Sequence, residues 1–290
     1  MDCYFYLQEI SASIQDGHTR IYIPSNLFSN KDKVFPLKLK RINDLIYVID
    51  NNSSETVPVY SSILEINQIP IETLFKECSQ LFPTSFNHVK WSFFEDYFHL
   101  LLSKYLEVTP PWEIKYKLDS KVRTTEIRAV TLKEFKKTII PHDNKYRQYQ
   151  IYVYDEEIPV LRMPGFSYGN AETYKQFIDS FFNKYAASSY MVIDIRENRG
   201  GNGYWGFYLL DNFTTSDYQI AKIFKFKVSE MMRNSIYAGK AGNNLFDANN
   251  GDYIEAVNHR IRVPHKNPKK FKGKVFLLIS EKTFSAGSVI

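Results

Sequence analysis

The strongest constraint on the fold lies at the end of the chain, Val275–Ile290 (VFLLISEKTFSAGSVI). Val275–Ile279 is a continuous apolar run, the pattern of a buried strand. Ser280-Glu281-Lys282 breaks the run, and the small residues of Thr283–Ser288 that come next are suited to opening a helix. A strand that turns at once into a helix belongs to α/β architecture. The same turn would set Ser285 at the end of a sheet, beside backbone N–H groups that have no helical partner. Ser285 is therefore a candidate nucleophile, with an N-cap as the plainer alternative. No SxxK motif accompanies it.

The patterning upstream agrees with an α/β core. From about Arg147 the chain alternates: strands at Gln150–Tyr154 and Ile158–Met163, then a helix over Ala171–Tyr185 with Tyr174, Phe177, Ile178 and Phe181 on one face. A buried strand at Tyr190–Ile195, a helix over Gly203–Phe213 and an alternating strand at Ile220–Val228 come after it. Before Arg147 the texture is mixed. The spacing predicts a helix over Tyr4–Ile14 with Phe5, Leu7, Ile10 and Ile14 inward, a turn at Asp16–Thr19, and a strand at Arg20–Pro24. Strands are expected at Ile46–Ile49, Ser62–Asn67, Trp112–Leu118 and Thr124–Leu132, and helices at Ile71–Leu81 and Phe93–Leu106.

Composition narrows the class. Apolar residues make up 44% of the 290, enough for a sizeable core. The net charge of +5 is mild and scattered apart from Lys266–Lys274 (KNPKKFKGK), which reads as a solvated loop rather than a nucleic-acid contact. Cys3 and Cys78 cannot build a disulfide framework, and no HExxH, CxxC or EF-hand pattern points to a metal; no cofactor is expected. No apolar run approaches a membrane span, and the N-terminus has neither the charged nor the long apolar region of a signal peptide. Location stays open.

Two further segments carry chemistry. Asp194-Ile195-Arg196-Glu197-Asn198-Arg199-Gly200-Gly201 leaves a buried strand and enters a double-glycine turn, where N–H groups can approach an anion or oxyanion. The plainer reading is a tight turn over an internal Asp194–Arg196 ion pair. Gly201-Asn202-Gly203-Tyr204-Trp205-Gly206 fits the dinucleotide pattern GxGxxG, but bulky Tyr204-Trp205 and the polar stretch before it count against a pyrophosphate. Among six histidines (His18, His88, His99, His142, His259, His265), His18 stands out. It sits in a turn, Asp16-Gly17-His18-Thr19, that can present an imidazole to a cleft, with Asp16 or Thr19 to orient the ring.

Taken together, these segments resemble the S41 serine peptidases, which include the C-terminal processing (tail-specific) proteases and the tricorn core protease. Asp16–Thr19 is similar to the D-G-H-T turn of tricorn-like members. Ile63-Leu64-Glu65-Ile66-Asn67-Gln68-Ile69-Pro70-Ile71 is similar to the I-L-x-I-N-G-x-P-I strand and turn of their PDZ-like domain, with Gln68 where glycine is usual. Asp194–Gly201 resembles D-x-R-x-N-x-G-G, and Thr283-Phe284-Ser285-Ala286 the T-F-S-A nucleophile turn. The resemblance implies a crotonase/ClpP-like α/β core with an inserted PDZ-like α+β region. The implied organisation is an N-terminal part of the catalytic domain at 1–30, a PDZ-like and connecting region at 31–145, and the peptidase core at 146–290. It implies Ser285 as nucleophile, His18 as base, and Gly200, Gly201 and the Ala286 N–H as oxyanion hole. The partner implied is a peptide or unfolded protein, and export from the cytoplasm is common in the family. The lysine or acidic residue that family members carry downstream of the serine would lie beyond Ile290, which leaves a binding-only relative as the rival reading.

Overall fold

The computed structural model describes residues 3–137, 149–167, 170–235, 238–258, 261–264 and 270–289. His142, His259, His265 and residues 266–269 of the lysine-rich run fall outside them. The chain divides into two compact units, residues 1–148 with 280–282, and residues 149–279 with 283–290.

The first unit is built on an antiparallel sheet. Its strands β2 (Leu37–Ile42), β3 (Leu45–Asn51), β4 (Ser62–Ile66), β6 (Trp112–Leu118) and β7 (Lys121–Ile127) are neighbours in that order, and β5 (Ile69–Pro70) folds back on β4. Short β1 (Lys33–Val34) pairs with β8 (Val130–Thr131). Helix α1 (Cys3–Ala12) opens the unit, and α2 (Ile71–Cys78) and α3 (Asn87–Lys104) come after the β4–β5 hairpin. The alternating pattern of β6, with Trp112, Ile114 and Tyr116 buried, turns one face inward, onto Phe35, Phe94 and Phe98. Both the Phe35–Trp112 and the Phe35–Phe98 rings meet edge to face.

Two expectations fail here. In α1 the buried residues are Phe5, Gln8, Ser11 and Ala12, while Leu7, Ile10 and Ile14 are exposed. The reason is Gln8. Its amide is satisfied inside, Nε2 donating to the Leu81 carbonyl at 2.7 Å and Oε1 accepting from the Ile21 N–H at 2.9 Å. A hydrogen-bonded amide thus holds a place that hydrophobic periodicity assigns to leucine. Arg20–Pro24 forms no strand; it is irregular chain whose Ile21 N–H is already taken by Gln8.

Residues 280–282 are held in the first unit by ion pairs. Lys40 Nζ lies 2.8 Å from Glu95 Oε2 and 2.7 Å from Glu281 Oε1, and Lys282 Nζ lies 3.2 Å from Asp96 Oδ1. The two carboxylates on Lys40 shift in opposite directions. Burial raises the pKa of Glu95 despite its lysine, whereas burial opposes but does not cancel the lowering that Lys40 imposes on more exposed Glu281.

The second unit contains a four-stranded sheet in the order β14 (Lys274–Leu278), β11 (Tyr190–Asp194), β10 (Ile158–Arg162), β9 (Gln150–Tyr154). The first three are parallel and β9 is antiparallel. Helix α4 (Ala171–Lys184) crosses from β10 to β11 and buries Tyr174, Ile178, Phe181 and Phe182. This is the alternation that the sequence predicts, and the mixed α/β class holds. Helix α5 (Gly203–Leu210) comes after β11. A separate ribbon pairs β12 (Ile223–Lys227) with β13 (Tyr253–Val257).

The apolar run at Val275–Ile279 is not the buried strand that its pattern predicts. Among the described residues it pairs with β11 alone, with Phe276 53% and Ile279 64% exposed. In the described part of the lysine-rich loop, Phe271 is buried and Lys270 Nζ donates to the Thr214 carbonyl.

The β4–β5 turn yields a stability test. Asn67 (φ +48°) and Gln68 (φ +62°) both lie in the left-handed region, as a two-residue hairpin of type I′ requires. Asparagine tolerates this, whereas glutamine strains there. Gln68→Gly should raise unfolding stability by about 0.5–1 kcal/mol in urea titration, the relief of strain exceeding the added chain entropy. A loss of stability would contradict this account of the turn.

Candidate active site

The site grows from the carboxyl end of β11. Arg162 on β10 stands in register with Asp194 on β11, and the two side chains meet, Arg162 Nε to Asp194 Oδ2, at 3.1 Å. Arg196 adds two contacts to the same carboxylate, Nε to Oδ1 at 2.9 Å and Nη2 to Oδ2 at 2.8 Å. Asp194 and Arg162 are buried, and Arg162 also reaches the Tyr152 hydroxyl at 3.0 Å. Burial would raise the Asp194 pKa, but the hydrogen bonds and charge of Arg196, helped by Arg162, bring it below the usual range. The turn therefore starts from a fixed, ionised anchor.

Asn198 organises the rest. It is fully buried. Its Nδ2 donates to the Met163 carbonyl at 3.0 Å, and its Oδ1 accepts the Gly200 N–H at 2.8 Å. Its backbone carbonyl accepts the Phe284 N–H at 2.9 Å. The Thr283 hydroxyl adds a bond to the Ile195 carbonyl at 2.9 Å. The double-glycine turn and the serine turn are thereby tied into one piece, although Gly200 and Ser285 are far apart in the sequence.

The packing at this junction is tight. Gly200 has φ +97° and Gly201 φ +125°. A methyl group on Gly200 would stand 2.7 Å from Ser285 Cβ, 2.9 Å from the Phe284 oxygen and 3.0 Å from the Ala286 nitrogen. A methyl on Gly287 would meet the Asn198 carbonyl oxygen at 2.7 Å. Ser285 itself has φ +55°, a left-handed conformation unusual for a residue with a side chain. Such conformations cluster at functional sites, where the surroundings enforce them. Ser285 opens a short 3₁₀ turn, Ser285–Val289, in place of the expected α-helix.

Gly200, Gly201, Ser285 and Ala286 thus come together in the second unit. The Gly200 N–H is engaged by Asn198 Oδ1. The Gly201 and Ala286 N–H groups donate to no other described residue. Helix α5 begins under its own cap, with Asn202 Oδ1 accepting the Tyr204 N–H at 3.0 Å. That occupies a donor which a phosphate at the GxGxxG pattern would need, and the dinucleotide reading gains no support.

His18 lies in the first unit. Asp16–Thr19 is a β-turn closed by Thr19 N–H to the Asp16 carbonyl at 2.9 Å. The Asp16 carboxylate accepts from the Thr19 hydroxyl at 2.7 Å and lies 3.3 Å from His18 Nδ1. Slight burial would raise the Asp16 pKa, but the bonds from Thr19 and His18 lower it. The His18 and Asp16 side chains are 63% and 49% exposed, so their pairing orients the ring while adding at most about 1 kcal/mol to stability.

Two features of the site are written in the sequence but are not singled out by the reading above. One is Asn198, whose signal is present as the asparagine of D-x-R-x-N-x-G-G. The other is a G-x-S-x-G pentad at Gly165-Phe166-Ser167-Tyr168-Gly169, of which Tyr168 and Gly169 lie outside the described residues. Ser167 is exposed, its N–H bonds the Tyr149 hydroxyl at 3.2 Å, and a methyl on Gly201 would approach its Oγ to 2.9 Å. A nucleophile elbow requires a strained serine. Among the described residues Ser285 has positive φ and Ser167 does not.

Residues 157–290 match the sequence profile of peptidase family S41. No curated protein sequence matches the chain. Among solved structures, a mutant of CPAF aligns with TM-score 0.59 at 12% identity, covering 98% of this chain and 70% of its own. Mature CPAF complexed with lactacystin aligns with TM-score 0.55 at 12% identity, covering 89% and 66%. Mature CPAF alone gives TM-score 0.54 at 12% identity, covering 89% and 65%. At this identity the likeness is one of fold, and the chain spans about two thirds of the length of these structures.

Two substitutions test this geometry. Gly200→Ala should displace the serine turn and cost about 1–3 kcal/mol, read by urea titration, because the methyl meets backbone atoms at a left-handed position. Asp194→Asn should cost about 3–5 kcal/mol near pH 7 by stranding Arg162. The sign of its pH dependence is fixed: a lowered folded pKa stabilises above the unfolded value of about 3.9 and loses that stabilisation as pH falls through the folded value. Parent and variant stabilities should therefore converge in acid. A constant gap down to about pH 2 would contradict the assignment.

Proposed function

Since residues 157–290 belong to peptidase family S41, we propose that the chain is a serine endopeptidase acting through an acyl-enzyme on Ser285. The observation that carries this is Ser285 at φ +55°, seated against Gly200, the first of two successive positive-φ glycines. Nucleophile and anion-binding backbone are brought side by side by hydrogen bonds and by contacts that exclude a Cβ. A serine at a mere helix cap has no need of that conformation.

In this reading Ser285 Oγ attacks the peptide carbonyl and gives its proton to His18. The Gly201 and Ala286 N–H groups receive the oxyanion, with Gly200 shaping the turn. His18 then protonates the leaving amine, and water, activated by the same imidazole, releases the acyl group. The role of His18 rests on the D-G-H-T resemblance and on its bond to Asp16. With the proton on Nδ1 facing Asp16, the lone pair sits on Nε2. The alternating order of parallel strands and helices in the second unit supports a crotonase/ClpP-like core. The antiparallel sheet with α2 and α3 supports 31–145 as a PDZ-like region that would take a peptide as an added strand. Residues 1–30, with the D-G-H-T turn, would complete the catalytic part alongside 146–290.

Hydrolysis of a quenched fluorescent casein by the purified protein tests the reading. Turnover should fall at least about 10³-fold in both Ser285→Ala and His18→Ala. Loss of Ala286 donation, probed by Ala286→Pro, should cost about 10²–10³-fold. Unchanged turnover in Ser285→Ala would end the proposal, and unchanged turnover in His18→Ala would reassign the base. A folded protein that binds casein without cleaving it would favour the binding-only relative.

A further inference from the structure

The first unit holds a cavity of about 350 Å³ that the peptidase reading does not use. Its volume falls within the range of about 300–1,000 Å³ found for small-ligand sites. One wall is a run of rings: Phe82 stacks on Phe93, and Phe93 on Tyr97, one turn further along α3. Tyr4 and Phe28 also line it. The irregular segment Arg20–Ile23 lines it too, tied to buried Gln8 through the Ile21 N–H.

The polar side chains at the lining are the Gln8 amide, the phenols of Tyr4, Tyr22 and Tyr97, and the guanidinium of Arg20, the one charged group among them. Arg20 stands at the lining with its guanidinium 5.2 Å from the Tyr22 ring centre, and it forms no ion pair among the described residues. The Tyr4 phenol is held protonated well above neutrality, its pKa pushed up to about 12 by burial and by Tyr97 against the opposing charge of Arg20. An apolar, aromatic interior with one uncompensated cation at its rim is complementary to a ligand with an apolar body and one negative charge.

We propose that this cavity binds a medium-chain carboxylic acid, its tail among Phe82, Phe93 and Tyr97 and its carboxylate on Arg20. The cavity suits a tail of roughly eight to ten carbons at the packing density of protein interiors. A free acid fits better than a polypeptide end, because a peptide backbone needs main-chain partners and the Ile21 N–H is already bonded to Gln8. The inference goes beyond the peptidase reading and is independent of it.

The test is calorimetric titration of the Ser285→Ala protein, in which hydrolysis contributes no heat. The ligands are decanoate below its micellar concentration, 1-decanol, and the peptide acid acetyl-Ala-Ala-Phe. Decanoate should bind saturably, and 1-decanol at least tenfold more weakly. Arg20→Gln should weaken decanoate at least tenfold and leave 1-decanol unchanged. Ile23→Trp, which fills the cavity from an exposed segment, should weaken both. Equal affinity for decanoate and decanol, or undiminished decanoate binding in Arg20→Gln, would overturn the proposal. So would saturable binding of the peptide acid alone, which would assign the cavity to a polypeptide end, or absence of heat with the folded protein at millimolar decanoate.

Discussion

Asn198 is the interaction on which the candidate site depends. A buried amide carries a large desolvation cost unless its donors and acceptor are used. Here the side chain uses Nδ2 on Met163 and Oδ1 on Gly200, while the backbone carbonyl takes Phe284. Three segments remote in sequence are fixed to one residue: the exit of β10, the double-glycine turn and the serine turn. A carbonyl or an aliphatic side chain alone could not do this, since donor and acceptor are needed at one point. Beneath it, the Arg162–Asp194–Arg196 cluster holds the end of β11 in place. The strained φ of Ser285 is tolerated because this framework over-determines it.

The surroundings show why small residues recur here. Gly200, Gly201 and Gly287 each face backbone atoms at distances that no Cβ could occupy. The glycines are present because two turns must lie closer than side chains permit, and the approach brings backbone N–H groups alongside the serine. Chemistry that relies on preorganised main-chain donors needs such an approach, since donors fixed before the reaction need no reorganisation during it.

Much of this is legible in the sequence, and the failures have physical causes. The strand–helix alternation after Arg147 is readable because α4 and the strands bury clean apolar faces. The hairpin at Asn67-Gln68 is readable despite glutamine, because asparagine and the flanking β-branched residues supply the turn and strand signals. Periodicity puts the wrong face of α1 inward because a hydrogen-bonded glutamine lies inside and leucine and isoleucine lie outside. The run Val275–Ile279 reads as buried because hydropathy does not report how many strands lie beside it. In the site, the serine and glycines are visible as local patterns. Asn198 does not stand out, because its importance lies in contacts with residues far away in the chain.

The competition between two serines gives the account its sharpest test. Ser285 and Ser167 both lie against the double-glycine turn, and only Ser285 has the left-handed backbone of a strained nucleophile. The decisive measurement is peptide mapping by mass spectrometry after reaction of the folded protein with a fluorophosphonate. The account predicts a single adduct on Ser285. An adduct on Ser167, or none on a protein shown to be folded, would contradict it.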